Sequence, residues 1–195
     1  MRLTQTLFRP LNDHPLLLST LFLLTGAALQ WRLGWAPQAV ALVGFAWVLL
    51  VLAAIDWRSH RLPDTLTLPL LWAGLVLQLL PPTRTVGAEL AIAGAVVGYL
   101  PLRALELAYF KVRRIEALGF GDLKLLAAIG AWLGPQAVML VFVAAALVGS
   151  AWQWLRSRGR TADVPQQFAL GPWLVASTLA LLLAGPAWMG WGAAG

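Results

Sequence analysis

Long uncharged stretches alternate with short polar ones along this chain. Residues 15–31, 33–55, 65–80 and 168–187 hold no charged side chain. Between the last two, Val86 to Phe110 has a short charge-free centre, Leu90 to Leu102, with Glu89 and Arg103 near its ends. Leu125 to Leu155 then runs without a charge. A helix crossing a hydrocarbon core of about 30 Å needs about 20 apolar residues. One helix over the whole of that last run would be ~46 Å long, so Gly134-Pro135 is expected to divide it into a short segment, 122–134, and a full one, 135–155. The pattern predicts about seven hydrophobic segments (six to eight), hence an all-α, polytopic integral membrane bundle forming a single domain over residues 1–195.

Composition agrees. The chain is 60% hydrophobic and 11% charged, with mean hydropathy +0.77, against about 25% charged residues in a soluble domain. The net charge of +6 comes with no basic face or aromatic RNA motif, so no nucleic-acid partner is implied, and membrane lipid is the expected surroundings. There is no cysteine, which excludes disulfides, Cys-ligated zinc and thiol catalysis. His14 and His60 lie far apart and read as surface or loop residues. Neither a metal nor a cofactor is expected. Residues 15–31 also fit a signal peptide, with Ala27-Ala28 before a cleavage site. The long polar start and the span that follows almost at once favour a membrane helix instead.

Charge sets an orientation. With the amino terminus in the cytoplasm and seven crossings, the inner segments hold Arg2, Arg9, Arg58, Arg61, Lys111, Arg113, Arg114, Arg156, Arg158 and Arg160, and the outer ones Arg32 and Arg84. Cytoplasmic loops carry such an excess of Lys and Arg. Trp31, Trp35, Trp188 and Trp191 then form one interfacial belt, and Trp57, Trp152 and Trp154 the other. Gly94 and Gly98, four apart, predict a close helix-packing face. Arg103 and Glu106, three apart, predict a pair on one helix face.

The same orientation puts Asp56, Asp64 and Asp122 on the cytoplasmic side, each where an apolar run meets a polar loop. Carboxylates at a membrane edge point to function. Two carboxylates about 3 Å apart cannot both ionise and so share a proton. One then takes a proton from water while the other donates to a scissile carbonyl. Such chemistry needs no cysteine, histidine cluster or metal. Gly119 and Gly121 before Asp122 give backbone room for a peptide or a positive φ. Asp122 also fits an ordinary helix N-cap, and Asp64, after Leu62-Pro63, stands where an N-cap belongs. Lys124, two residues from Asp122, does not share its helix face; it snorkels to the interface or pairs with an acid elsewhere.

Asp56, then Pro63-Asp64 and Thr65-Leu66-Thr67-Leu68-Pro69, resembles the first motif of type IV prepilin peptidases. Gly119-Phe120-Gly121-Asp122-Leu123-Lys124, continuing to Trp132, resembles their second. Phe168-Ala169-Leu170-Gly171-Pro172 is similar to a glycine-proline motif near their carboxyl end. Together these cover roughly residues 36 to 185. The family belongs to the wider class of Gly-x-Gly-Asp intramembrane aspartyl proteases, which includes presenilin. The resemblance implies Asp56 and Asp122 as the catalytic pair, with Gly119, Gly121, Pro63, Asp64 and Lys124 in support. It implies cleavage of the short basic leader from type IV prepilins or type II secretion pseudopilins, at the cytoplasmic face of a bacterial inner membrane. Many bacterial members also methylate the new amino terminus, through a cytoplasmic insert with paired Cys-x-x-Cys zinc sites. With no cysteine and no long loop, this chain is expected to lack that region and S-adenosylmethionine with it. Two other classes compete. A proton-coupled transporter predicts carboxylates at mid-membrane and internal repeats. An inactive pilus or secretion scaffold predicts no use for both aspartates.

Overall fold

The computed structural model describes residues 15–113, 119–158 and 170–185, which are helical apart from short turns, with no strand among them. The helices are α1 (Pro15–Leu33), α2 (Pro37–Ser59), α3 (Asp64–Leu77), α4 (Ala88–Arg113), α5 (Phe120–Ser157) and α6 (Gly171–Ala184), with a single 3₁₀ turn at Pro81–Thr83. Pro37–Ser59, Ala88–Lys111 and Phe120–Arg156 are long and apolar enough to cross a membrane, and α3 and α6 are shorter apolar helices. The all-α membrane architecture expected from the hydrophobic pattern is the one observed.

The boundaries differ in one way that matters. The uncharged run of the second span ends at residue 55, but α2 continues to Ser59, so Asp56 lies inside its last turn. Nothing in Trp57-Arg58-Ser59 breaks a helix, the Ser59 hydroxyl donates to the Ile55 carbonyl at 2.8 Å, and proline arrives only at Pro63. The fourth helix likewise continues past Phe110 to Arg113.

α5 is two arms. Gly134 breaks it with φ 84 and ψ 176, a conformation essentially confined to glycine. A straight helix of 38 residues would be ~57 Å long. Instead both ends return to one side. Asp122, near the start, shares a cavity with Asp56. Trp152, near the end, sits 5.8 Å from the ring of Trp173, two residues beyond Gly171, which abuts Asp56. The chain therefore reverses at Gly134-Pro135, and the six helices among the described residues make the seven predicted segments.

The opposite end is tied by polar contacts that apolar helices cannot otherwise supply. Gln78, buried at the end of α3, accepts from the backbone N–H groups of Thr85, Val86 and Gly87 at 2.8, 3.1 and 3.2 Å. Its amide nitrogen donates to the Thr85 hydroxyl and to the Trp132 carbonyl. The Trp132 indole donates to the Leu70 carbonyl at 2.9 Å and stacks on Phe45, with centroids 4.6 Å apart. At the same end the Arg32 guanidinium donates to the Ala184 carbonyl, joining α1 to α6.

The core runs through Phe45, Leu49, Leu52, Leu125, Leu126, Ile129, Leu174 and Leu182. Beyond it, Leu23, Trp31, Ile92, Leu105 and Leu147 are exposed, an apolar outer surface that suits lipid. Between α4 and the first arm of α5 the backbones meet. A Cβ on Gly94 would lie 2.1 Å from the Gly130 carbonyl oxygen, and one on Gly98 would lie 2.6 Å from that of Leu126. That is the close-packing face expected from the Gly94/Gly98 spacing. Arg103 and Glu106 pair as their spacing predicts. Trp31 and Trp35 are strongly exposed at the α1–α2 turn, and Trp57, Trp152 and Trp154 are exposed at the opposite end, as two belts require. The expectations for His14, Trp188 and Trp191 fall outside the described residues.

Candidate active site

Asp56 projects inward from the last turn of α2 and is only 4% exposed. Four residues on, His60 ends the helix in the left-handed region (φ 50, ψ 32), its N–H donating to the Asp56 carbonyl at 2.9 Å. Such strain in a non-glycine residue costs on the order of 1 kcal/mol and often marks a functional site. It turns the chain across the end of the bundle through Arg61, Leu62 and Pro63 into α3. Asp122 comes from the first turn of α5, where its N–H donates to the Gly119 carbonyl at 3.1 Å.

The two segments, distant in sequence, meet around one open cavity of about 330 Å³, lined by Asp56, His60, Arg61, Leu62, Asp64, Gly119, Phe120, Gly121 and Asp122. The two carboxylates and the His60 side chain line the same cavity. A cavity that brings two carboxylates to the end of an apolar bundle has the parts for acid–base activation of water.

The supporting residues hold this geometry in ways only partly expected. Gly119 occupies the N-cap position of α5 with an ordinary φ of −69, and positive φ is found at neither Gly119 nor Gly121. What requires glycine at 121 is contact. A Cβ there would lie 2.8 Å from that of Leu62, so the Gly-x-Gly turn lets the α2–α3 connection rest on the start of α5. Asp64 is not the N-cap of α3. Pro63 holds that position, with no side-chain cap. The Asp64 carboxylate instead takes both Lys124 contacts, at 2.6 and 2.7 Å. An ammonium binds a carboxylate more strongly than an amide N–H does, and Asp64 remains in the first turn, where negative charge is favoured. Lys124 therefore pairs with an acid from the other motif and clamps the two halves of the cavity wall. Asp122 is not an N-cap either, but the third residue inside α5, lining the cavity.

Four residues here were not anticipated as part of the site. His60 is exposed in a loop, as expected, but the loop is a cavity wall. Arg61 and Leu62 join it there. Phe120 also lines the cavity, and the Arg103 guanidinium lies 4.3 Å over its ring, linking the Arg103–Glu106 pair of α4 to the Gly-x-Gly turn. The x position of Gly119-Phe120-Gly121-Asp122 was the available signal for Phe120. No group of three or more His, Cys, Asp or Glu side chains arranged to hold a metal occurs among the described residues.

The profile of the type IV leader peptidase family matches residues 43–153. The chain is 45% identical over 156 residues to a prepilin leader peptidase/N-methyltransferase of Dickeya chrysanthemi, covering 80% of this chain and 53% of that protein. It is 43% identical over 156 residues to the protein so named in Burkholderia pseudomallei (strain 1026b), covering 78% and 48%. For the Aeromonas hydrophila protein the figures are 40% over 175 residues, covering 87% and 58%. The chain thus spans about half the length of the curated relatives it matches. No solved structure gives a significant match.

Proposed function

The chain belongs to the type IV leader peptidase family, and from that premise we propose that it is an aspartyl endopeptidase. Its substrates are type IV prepilins or type II secretion pseudopilins, and it removes their short basic leader. The observation that carries this reading is the meeting of Asp56 and Asp122 in one cavity at the end of the bundle. The ionised carboxylate takes a proton from water as the water oxygen bonds to the scissile carbonyl carbon, and the protonated carboxyl gives its proton to the carbonyl oxygen. Collapse of the tetrahedral adduct breaks the C–N bond: one of its two hydroxyls returns its proton to the pair as the carbonyl re-forms, and the departing nitrogen takes a proton from the pair. The dyad ends as it began, one proton shared between two acids, without an acyl-enzyme. Asp64 and Lys124 hold the two motifs together and take no part in proton transfer.

The basic residues support a cytoplasmic active site in a bacterial inner membrane. Arg58, Lys111, Lys124, Arg156 and Arg158 belong to the cavity end of their helices and Arg61 to the cavity wall, whereas Arg32 in the last turn of α1 and Arg84 after the 3₁₀ turn belong to the other end. We assign residues 1–195 the proteolytic step alone; the methyl transfer named for the relatives finds no Cys-x-x-Cys pair in this sequence. A proton-conducting role would place the carboxylates at mid-membrane, whereas Asp56 and Asp122 both lie within one turn of a helix end.

The test is leader removal from prepilins and pseudopilins by the purified protein in detergent. The wild type should cleave, Asp56→Asn and Asp122→Asn should be inactive yet folded, and Asp64→Asn should retain cleavage. A folded wild type that leaves a broad panel intact would refute the peptidase assignment.

A further inference from the structure

The beginning of α6 touches the site from a side the cavity does not include. Its N-cap position is Leu170, which offers no side-chain cap. Within its first turn, Pro172 has no N–H to give. The N–H groups of Trp173 and Leu174 both reach the Leu170 carbonyl at 3.0 Å. The donor left over in that turn is the Gly171 amide, and the Gly171 backbone lies directly against the Asp56 carboxylate. Asp56 in turn has a buried Oδ2 with no hydrogen-bond partner among the described residues. The approach is tight. A Cβ on Gly171 would lie 2.5 Å from Asp56 Oδ2, 3.0 Å from its Cγ and 3.3 Å from its Cβ.

From this juxtaposition we infer that Gly171 is a positioning residue for Asp56, which serves as the N-terminal cap of α6. The inference rests on the proposed peptidase function insofar as it calls Asp56 catalytic. Helix N-termini stabilise negative charge through their unpaired N–H groups and the helix dipole. The arrangement thus works in both directions. The backbone of α6 holds the Asp56 carboxylate in one rotamer beside Asp122, and the carboxylate anchors a helix start that has no cap of its own. Glycine is required because a side chain would occupy the space of the carboxylate. The glycine-proline pair is likewise accounted for, since proline leaves the one amide at Gly171 as the donor in that turn. The contact joins helices far apart in the chain and ties the carboxyl-terminal one to the reaction centre.

Two arms test this. In the first, Gly171→Ala is assayed for leader cleavage. The colliding atoms of Asp56 are the end of a side chain, so strain is relieved by moving the carboxylate and the fold survives. A misplacement of about 1 Å can cost about 100-fold in rate, so kcat should fall by about that factor with KM nearly unchanged and thermal unfolding as in the wild type. A merely structural role would lower stability and leave kcat per folded molecule intact. The second arm needs no enzyme activity. Amide hydrogen exchange at Gly171, Trp173 and Leu174 should speed up at least tenfold in Asp56→Ala and stay near wild type in Asp122→Ala. Wild-type kcat in Gly171→Ala, or unchanged exchange at the start of α6 in Asp56→Ala, would overturn the inference. If Gly171→Ala does not fold, or if no prepilin is cleaved at all, the exchange arm decides by itself.

Discussion

Replacing Gly130 by alanine places the α4–α5 contact under a defined load. The new Cβ would lie 2.1 Å from the Gly94 carbonyl oxygen, 2.4 Å from its carbon and 3.0 Å from the Ala95 nitrogen. Ordinary contact begins at 3.4 Å, so the oxygen would be more than an ångström too close. All three opposing atoms are backbone, so no rotamer change relieves it and the two helices must part. A gap of about 0.5–1 Å already forfeits about a quarter to a half of each dispersion contact along the seam, and overpacking of this kind costs about 3 kcal/mol. Against that, alanine is favoured over glycine in a helix by about 1 kcal/mol. The net expectation is a loss of about 2 kcal/mol, roughly a 30-fold fall in the folded-to-unfolded ratio. Gly44 supplies the control. It also lies within a helix, α2, but a Cβ there meets nothing within 4 Å, so Gly44→Ala should be neutral or up to about 1 kcal/mol stabilising. Reversible unfolding in mixed detergent micelles, followed by tryptophan fluorescence, measures both variants. If Gly130→Ala is as stable as Gly44→Ala, the helices are not in backbone contact and the packing account is wrong.

Other expectations follow from single contacts. Gln78→Leu strips the acceptor from three backbone N–H groups, while the Trp132 carbonyl keeps the Thr85 hydroxyl as a donor; unsatisfied buried groups cost about 1–3 kcal/mol each, so a loss of about 3 kcal/mol or more is expected in the same unfolding assay. A double-mutant cycle on Asp64→Asn and Lys124→Met should return a coupling of no more than about 1 kcal/mol in stability, because the side chains are 56% and 27% exposed. A coupling well above that would mean the pair is shielded from solvent. Cleavage should show a bell-shaped pH dependence, since water activation needs one carboxylate ionised and the other protonated; a rate that climbs without a fall on the alkaline side would argue against the dyad.

Much of this protein is legible locally. The bilayer demands long apolar helices with satisfied backbones, and those demands act on each segment separately. The apolar runs, the Gly134-Pro135 division, the Gly94/Gly98 face and the end of the bundle that carries the charge could therefore be read residue by residue. The misreadings were local as well. Asp64 looked like an N-cap because its position fits one, but Lys124, from the distant second motif, claims its carboxylate. The apolar run of the second span stops at the first charge, Asp56, but a charge does not stop a helix and α2 continues to Ser59.

What only the tertiary structure decided is which faces meet. In a soluble helix an apolar stripe marks the side that packs. Here lipid and core are equally apolar, so Leu49, buried, and Trp47, exposed, carry no contrast that polarity would reveal. Packing is chosen by shape, in the small residues that let Gly94 reach Gly130, Leu62 rest on Gly121 and Asp56 reach Gly171. The chemistry belongs to that second level. Each aspartate was visible in its own motif, but a carboxylate pair depends on contacts between helices that the chain does not bring together until it folds.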